Sequence, residues 1–418
     1  MRYPARVLLL ALACALVTGR ASAHAYVVSA QPAIEGGYQM PQGVVAVTFD
    51  EPIDVLDRDA LEVDDARGRR IDRRDAHVDS DDATRLVASV PLHLAPGVYT
   101  VRWRVVSADT HVVHGAYRFG VDAPVSGSAP GDAQAFFDPS APLPTALRWL
   151  GLIGALIATG ALTFRLLVLD GLPPWELADA IARKAAIRGS AAVLVAAVPA
   201  LLVQAAAAGG RFGSDLAPTL LHSMWGAAWL VRVTAAAVLL ILAIRAWRRV
   251  NLPYAIVAYA LLLSFSFSGH ALALSGAQRA LAVAADSAHF AAASIWVGGV
   301  GVMISILSRT SGRLRELFAR FTPVAIACAV VVALTGAYGA FLHVPQIGDL
   351  VRTVYGETLV AKMLLFLALI ALGYLHLRAG RGRASGYAAA TLTMEALIGL
   401  AVVTLSAFLV GQMPPMHM

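Results

Sequence analysis

Two patterns of apolar and polar positions divide the chain. From residue 24 to residue 121, short apolar runs alternate with polar positions and are separated by turns of Gly, Pro and Asp. Alternation in the run 97–105 gives one apolar face, made of Tyr99, Val101, Trp103 and Val105. Similar runs span 44–49, 85–90 and 116–121, and the Asp- and Arg-rich stretch 64–82 is expected to form a solvated hairpin or loop. This region is predicted to be an all-β Ig-like sandwich.

Long apolar runs dominate the second region, from 145 to 412. Eight of them approach the ~20 residues that a helix needs to cross a bilayer. They span 145–168, 188–208, 226–246, 253–274, 283–307, 321–343, 358–378 and 387–411. We therefore predict an all-α polytopic membrane bundle of eight transmembrane helices. A flexible linker rich in Pro, Gly and Ser over 122–144 precedes it, and a short tail over 413–418 follows it.

Basic residues are concentrated in alternate links between the spans. One set of links and flanks carries Arg165, Arg183, Lys184, Arg188, Arg245, Arg248, Arg249, Arg309, Arg313, Arg315, Arg320, Arg378, Arg381 and Arg383. The other set carries only Arg211, Arg279 and Arg352. The positive-inside rule predicts a multi-pass protein of a bacterial inner (plasma) membrane, with the N-terminal domain and the C-terminus in the periplasm. This topology in a lipid bilayer explains the net charge of +6, and no nucleic-acid partner is expected.

Residues 1–23 have the form of a signal peptide. Two arginines precede an apolar run, and Ala21-Ser22-Ala23 has the small-x-small form of a signal-peptidase site. Cleavage there would make His24 the first residue, and its α-amine and imidazole could then chelate one metal ion. Lipidation at Cys14, which follows a poor lipobox, is the alternative and would leave His24 internal.

Asp109 and His111 are the other candidate ligands of this region. Their spacing places both side chains on the same side of an extended backbone. By itself the pair is more typical of a turn-capping Asp and a surface His. Together with the amine and imidazole of His24, it supplies three nitrogens and one carboxylate oxygen, a set that favours Cu(II). His114 lies at an odd offset from His111, and we expect it on the other face, as a bystander or a weaker ligand.

Four motifs of this region resemble the periplasmic copper-binding CopC family. They are His24-Ala25-Tyr26, Thr48-Phe49-Asp50-Glu51-Pro52-Ile53, Tyr99-Thr100-Val101-Arg102-Trp103 and Ser107-Ala108-Asp109-Thr110-His111. The resemblance implies a β-sandwich that binds Cu(II) through His24, Asp109 and His111. Some members of that family hold Cu(I) in a methionine-rich loop, but the stretch 61–82 contains no methionine here.

The apolar region resembles the CopD family of copper-transport membrane proteins. The motifs are Ser268-Gly269-His270-Ala271, Asp286-Ser287-Ala288-His289, Trp296-Val297-Gly298-Gly299, the Thr-Gly-x-Tyr-Gly run 335–339, and 356–362, which ends at Lys362. Ionisable groups inside a bilayer are costly and are usually functional. His270, His289, Glu395 and Lys362 are therefore candidates for a membrane copper route. We expect Glu395 to pair with Arg232, Lys362, a metal or a proton, while Lys362 could equally extend outward to the interface.

The C-terminal tail offers a second group of soft ligands. Thioether and imidazole groups suit Cu(I). The tail supplies both, from Met413, Met416, His417 and Met418. An ordinary frayed terminus is the alternative interpretation.

These features predict a copper-binding membrane protein that is not an enzyme. We expect the N-terminal domain to capture Cu(II) in the periplasm and the bundle to import copper, in the service of copper homeostasis and resistance. Periplasmic copper chaperones or cuproenzymes are candidate partners. Two alternatives remain open: periplasmic copper holding and delivery without import, and a haem-binding membrane redox protein with His270 and His289 as axial ligands. An oxidative polysaccharide-cleaving copper enzyme is disfavoured by the near-adjacent Asp-x-His pair and the eight-span bundle.

Overall fold

A computed structural model describes most of the chain. The described residues are 27–34, 43–55, 57–107, 112–125, 142–170, 172–207, 223–249, 252–274, 276–310, 313–344, 346–379 and 385–412. They comprise a β-domain of eight strands and a helical bundle of eight long helices.

The strands of the β-domain form two antiparallel sheets. They are β1 (Val27–Gln31), β2 (Val44–Phe49), β3 (Ile53–Asp54), β4 (Leu61–Asp64), β5 (His77–Val78), β6 (Arg85–Ser89), β7 (Gly97–Ser107) and β8 (Val112–Val121). One sheet has the order β1-β2-β6-β5, and the other has β3-β7-β4 with β8 also paired to β7. Apolar side chains from both sheets form one core, which confirms the predicted sandwich.

Each helix of the bundle coincides with one of the apolar runs. They are α1 (Pro142–Phe164, extended by a π-helical turn over Arg165–Leu169), α2 (Glu176–Ala207), α3 (Met224–Arg245), α4 (Leu252–Ser266), α5 (Gly276–Leu307), α6 (Leu314–His343), α7 (Val354–Ala379) and α8 (Ser385–Leu409). Among the described residues, seven helices are long and apolar enough to cross a membrane, whereas α4 is shorter.

The prediction of one continuous span over 253–274 is wrong, because α4 ends at Ser266. A turn follows, with Gly269 extended, before a 3₁₀ helix over His270–Ala273. The hydroxyls of Ser264 and Ser268 donate to backbone carbonyls near this end and so compete with the helical ladder. Arg232 of α3 donates to the Ser264 carbonyl and to both serine hydroxyls. The guanidinium thereby satisfies backbone that the break exposes.

Small residues let three helices approach closely. Gly154 of α1 faces Gly189 of α2, and Gly160 of α1 faces Gly298 of α5. A Cβ added at Gly298 would meet the Cα of Gly160 at 2.7 Å. Such contacts are typical of helix pairs in membranes, where small residues allow the backbones to pack.

Arginines of the basic links lie together at one end of the bundle, the end where α1 finishes and α2 starts. Arg183 donates to the carbonyls of Ala243 and Ile244 at the end of α3. Arg313 and Arg320, from the start of α6, donate to carbonyls in the link between α1 and α2. These cations stabilise helix C-termini and exposed carbonyls at that end.

Candidate functional site

At one end of the β-sandwich, β2 and β7 end and β1, β3 and β8 begin. β1 begins there, because Val27 pairs with Phe49, the last residue of β2. β3 starts four residues after Phe49, and its Ile53 pairs with Ser107, the last residue of β7. The loop 108–111 leaves from that point, and Val112 opens β8 opposite Val106. The first residue of β1, the last residue of β7 and the first residue of β8 therefore lie at the same end of the sandwich.

Glu51 is a buried carboxylate at this end of the sandwich. Only 3% of Glu51 and 3% of Ser107 is exposed. The Ser107 hydroxyl donates to Oε1 of Glu51, directly before the loop that contains Asp109 and His111. A carboxylate so placed can act as a further oxygen ligand or orient the loop. The sequence did not single out this carboxylate, although Glu51 belongs to the motif over 48–53.

The three predicted ligands, His24, Asp109 and His111, lie outside the described residues, so their roles stay predictions. The same holds for the tail residues Met413, Met416, His417 and Met418. His114 is described on β8, where its backbone pairs with Arg104 of β7. Its role as a bystander also stays a prediction.

The helical bundle encloses a cavity of about 580 Å³. All eight helices contribute to its lining, each from the part nearest the end where α1 begins. This is opposite to the end that holds the basic links. The lining is largely apolar and aromatic, with a few polar side chains, as is usual for a ligand cavity.

His289 of α5 lines this cavity and is held by α6. Its Nδ1 lies 2.9 Å from the Thr335 hydroxyl, and that hydroxyl donates its own proton to the Val331 carbonyl at 2.6 Å. Thr335 can therefore only accept from His289, so a neutral imidazole carries its proton on Nδ1. The lone pair of Nε2 is then available to a metal, as in protein metal sites whose histidines are fixed by a second hydrogen bond.

Thr335 and Gly336 explain the Thr-Gly-x-Tyr-Gly motif. Thr335 orients His289, and a Cβ at Gly336 would lie 3.5 Å from the imidazole Cε1. Tyr338 packs against the small apolar cluster that includes Ala271 and Leu274. The motif is visible in the sequence. Its role as a support for His289 becomes visible only when α5 packs against α6.

Lys362 of α7 also lines the cavity. It interacts electrostatically with Asp286 and with His289, both on α5. Among the described residues, no hydrogen-bond or ion-pair partner holds its ammonium group. Lys362 thus presents a cation to the cavity close to the imidazole.

Glu395 of α8 lies behind Trp296, at 8% exposure. The indole Nε1 of Trp296, which lines the cavity, donates to Glu395 Oε1 at 3.1 Å. The expected pairing of Glu395 with Arg232 or Lys362 is wrong, because Arg232 bonds to the end of α4 and Lys362 faces the cavity. The backbone of His270 is described in the 3₁₀ helix, while its side chain lies outside the described part of the chain.

Within the described residues, no group of three or more His, Cys, Asp or Glu side chains is arranged to hold a metal ion. A copper ion bound by Nε2 of His289 would therefore need further donors. These could come from residues outside the described ranges, from water or from a ligand that arrives with the metal.

Arg148 is a cavity residue that sequence reasoning missed. It belongs to the first span, and its Nη1 donates to the Ala407 carbonyl of α8 at 2.8 Å. The rule that drew attention to Arg232, that charges inside a span are rarely accidental, applies equally to Arg148.

Comparison with known families matches three parts of the chain. Residues 27–122 match the CopC domain, residues 139–280 match the N-terminal domain of copper resistance protein D-like proteins, and residues 315–409 match copper resistance protein D. Together these matches include most of the described β-domain and most of the bundle.

Individual proteins are similar to the chain over all or part of its length. The chain is 28% identical to the copper transport protein CutJ of Bacillus subtilis over 94% of this chain and 75% of that protein. It is 29% identical to protein YobA of Escherichia coli over 28% of this chain and 93% of that protein. The crystal structure of CopC from Methylosinus trichosporium OB3b is 26% identical, with 25% of this chain and 100% of that chain covered and a TM-score of 0.21. The chain is a CopC–CopD fusion, a membrane protein of the copper transport and resistance class.

Proposed function

We propose that this protein captures copper in the periplasm and imports it across the inner membrane. The observation that carries the proposal is the cavity at the end of the bundle opposite the basic links, which is lined by His289 with its Nδ1 held by Thr335. The family resemblance to copper proteins supplies the identity of the cargo, and the cavity supplies a place to receive it.

The charges of the links give the proposed orientation of the bundle. Basic links are retained in the cytoplasm, so the arginine-rich end faces inward and the cavity end faces the periplasm. The β-domain, which precedes α1, and the tail, which follows α8, are then both periplasmic. Gly160 of α1 and Gly298 of α5 meet on the cytoplasmic side of the cavity residues Leu156 and Val297 and pack the two helices closely there.

The β-domain performs the capture step. The α-amine and imidazole of His24, with Asp109 and His111, bind Cu(II) at the end of the sandwich, and Glu51 supports the loop or adds an oxygen ligand. Because the domain is tethered to the bundle, bound copper is held at a high effective concentration near the cavity. Periplasmic copper chaperones are the natural donors to this site.

The bundle performs the transfer step. His289 accepts the ion through Nε2, and His270 lies on the turn at the end of α4 that faces the same side. Lys362 places a positive charge next to His289. Glu395, which accepts a hydrogen bond from Trp296, is the next acidic group on the inward path of copper. The methionines and the histidine of the tail add a periplasmic Cu(I) site.

Initial uptake of labelled copper by spheroplasts tests this function. Spheroplasts that express the chain should accumulate internal copper faster than spheroplasts with an empty vector, and His289→Ala should remove the difference. Gly301→Ala is the matched control, because a Cβ at Gly301 of the same helix meets nothing within 4 Å. Copper that is bound at the cell surface without entering would support periplasmic holding and delivery instead.

A further inference from the structure

The charges of the cavity are unusual for a site that receives a metal cation. Two arginines, Arg148 and Arg232, and Lys362 line it, and Asp286 is the one carboxylate among the described lining residues. Arginine remains protonated in proteins. The arginines are also close enough to repel each other. A bare copper ion would therefore enter a cavity of its own sign.

Arg232 has N–H groups that its hydrogen bonds to described residues do not use. Its Nε and Nη2 groups bond to Ser264 and Ser268, and its guanidinium lies 4.0 Å from the centroid of the Phe265 ring. These bonds do not use Nη1, which has no partner among the described residues. Lys362 likewise has no direct partner there. Both groups remain able to bind an anion.

The cavity is larger than a hydrated ion needs, and its walls are rich in aromatic side chains. A copper ion with six waters takes about 200 Å³, since one water occupies about 30 Å³. The cavity holds about 580 Å³ and is lined by the aromatic residues Trp225, Trp229, Phe265, Phe290, Trp296 and Phe366. Such dimensions suit a small organic molecule.

We infer that copper enters the bundle as a carboxylate complex of net negative charge. The inference rests on the proposed transport function and names its substrate class. Charged N–H groups bind carboxylates strongly, so Nη1 of Arg232 and the guanidinium of Arg148 bind the acid groups of the complex. Lys362 adds a further positive charge, and Nε2 of His289 takes an open coordination position of the copper. The metal keeps its oxidation state, and the accompanying carboxylates supply the donors that the described side chains lack.

Uptake by proteoliposomes at a fixed free copper concentration tests the inference. Copper is buffered either with nitrilotriacetate, whose Cu(II) complex is an anion, or with diethylenetriamine, whose Cu(II) complex is a cation. The full chain is used, and the occupancy of its β-domain is the same in both buffers because free copper is the same. At the same free copper concentration, uptake is expected to rise with the nitrilotriacetate concentration, because the carboxylate takes copper over from the β-domain and accompanies it into the cavity, and to be independent of the diethylenetriamine concentration.

Two substitutions identify the groups responsible. Arg148→Gln and Lys362→Gln are each expected to lower the uptake that depends on the anionic complex by about tenfold, the loss expected for one charge-assisted hydrogen bond. Arg315→Gln, on the exposed surface of α6 at the other end of the bundle, should have no effect.

The possible results distinguish a failure of this inference from a failure of the transport function. Uptake that follows free copper alone in both buffers, or that rises with the cationic complex, would overturn the inference and leave transport intact. Uptake no faster than in empty liposomes in every buffer would contradict the transport function and, with it, this inference.

Discussion

At the scale of single residues, the hydrogen bond between Thr335 and His289 makes the imidazole ready for a metal. Thr335→Val keeps the shape of the side chain but removes the acceptor for Nδ1–H. We expect copper uptake to fall by about tenfold or more, the size usual for loss of such a supporting bond. Thr335→Ser keeps the hydroxyl and should retain most of the uptake. Equal rates for the two variants would show that the bond has no such role.

In the β-domain, the ionised form of Asp72 stabilises the surrounding strands. Burial alone would raise the pKa of Asp72. The Arg70 guanidinium and the backbone N–H groups of Val63 and Arg74 outweigh burial and hold this pKa below its ordinary value. A lowered folded-state pKa stabilises the fold above the unfolded pKa of about 4, and this contribution is lost as the pH falls through the folded value.

Hydrogen exchange of the segment 61–74 in the full chain measures this contribution. Protection should be greatest above about pH 4 and should decrease below it, because protonation of Asp72 removes its ionised form. Asp72→Asn should lower the local opening free energy by about 1–3 kcal/mol at neutral pH. It should also flatten the pH dependence. A variant with the same pH profile as the original chain would exclude Asp72 as the cause.

Sequence reasoning identified residues better than it identified their contacts. His289 and Glu395 were selected because charged or polar groups inside a bilayer are costly. The same rule would have selected Arg148. The partners of Glu395 could not be predicted, because the indole of Trp296 meets it only when α5 packs against α8.

At the scale of elements, the crossing of α1 and α5 depends on two glycines. Gly298→Ala would force a Cβ against the Gly160 backbone and should lower stability by about 1–3 kcal/mol. Gly301→Ala, on the same helix, should be neutral or slightly stabilising, since alanine favours a helix. Thermal unfolding in detergent compares the two. Equal melting temperatures would contradict the close packing of these helices.

The end of α4 should depend on Arg232 in a similar way. Arg232→Met removes the donors to Ser264 and Ser268 and should cost about 1.5–3 kcal/mol for each charge-assisted bond that is lost. Arg232→Lys should be intermediate, because one ammonium group cannot reproduce the planar fork. The melting temperature of the purified chain is the measurement, with Arg315→Gln as control. An unchanged melting temperature for Arg232→Met would show that the break in α4 does not need the arginine.

Periodicity and hydropathy predicted most elements and failed at α4 for a physical reason. The run 44–49 matches β2 at both ends, since a short run of β-branched and aromatic residues bounded by turn residues is typical of a buried strand. Hydropathy continues through 253–274, but it does not register that serine hydroxyls compete for backbone carbonyls or that Gly269 adopts an extended conformation.

At the scale of the whole molecule, the candidate sites depend on topology. The first residue of β1, the β2–β3 connection and the facing ends of β7 and β8 lie together only because β3 crosses to the second sheet and pairs with the end of β7. No local pattern carries that information. The sequence favoured the ligand set through the Asp-x-His spacing and the predicted cleavage before His24, and the family resemblance implied the same residues. Likewise, the cavity forms only when eight helices assemble, although the charge asymmetry that orients it is visible in the sequence.

The central claim is that copper is captured by the β-domain and then passes inward through the cavity. Its most direct test is the initial rate of labelled copper uptake by spheroplasts across a range of external copper concentrations. His24→Ala is expected to raise the concentration needed for half-maximal uptake and to leave the maximal rate unchanged. His289→Ala should abolish the uptake at every concentration. Rates equal to those of empty-vector spheroplasts for all three chains would contradict the account.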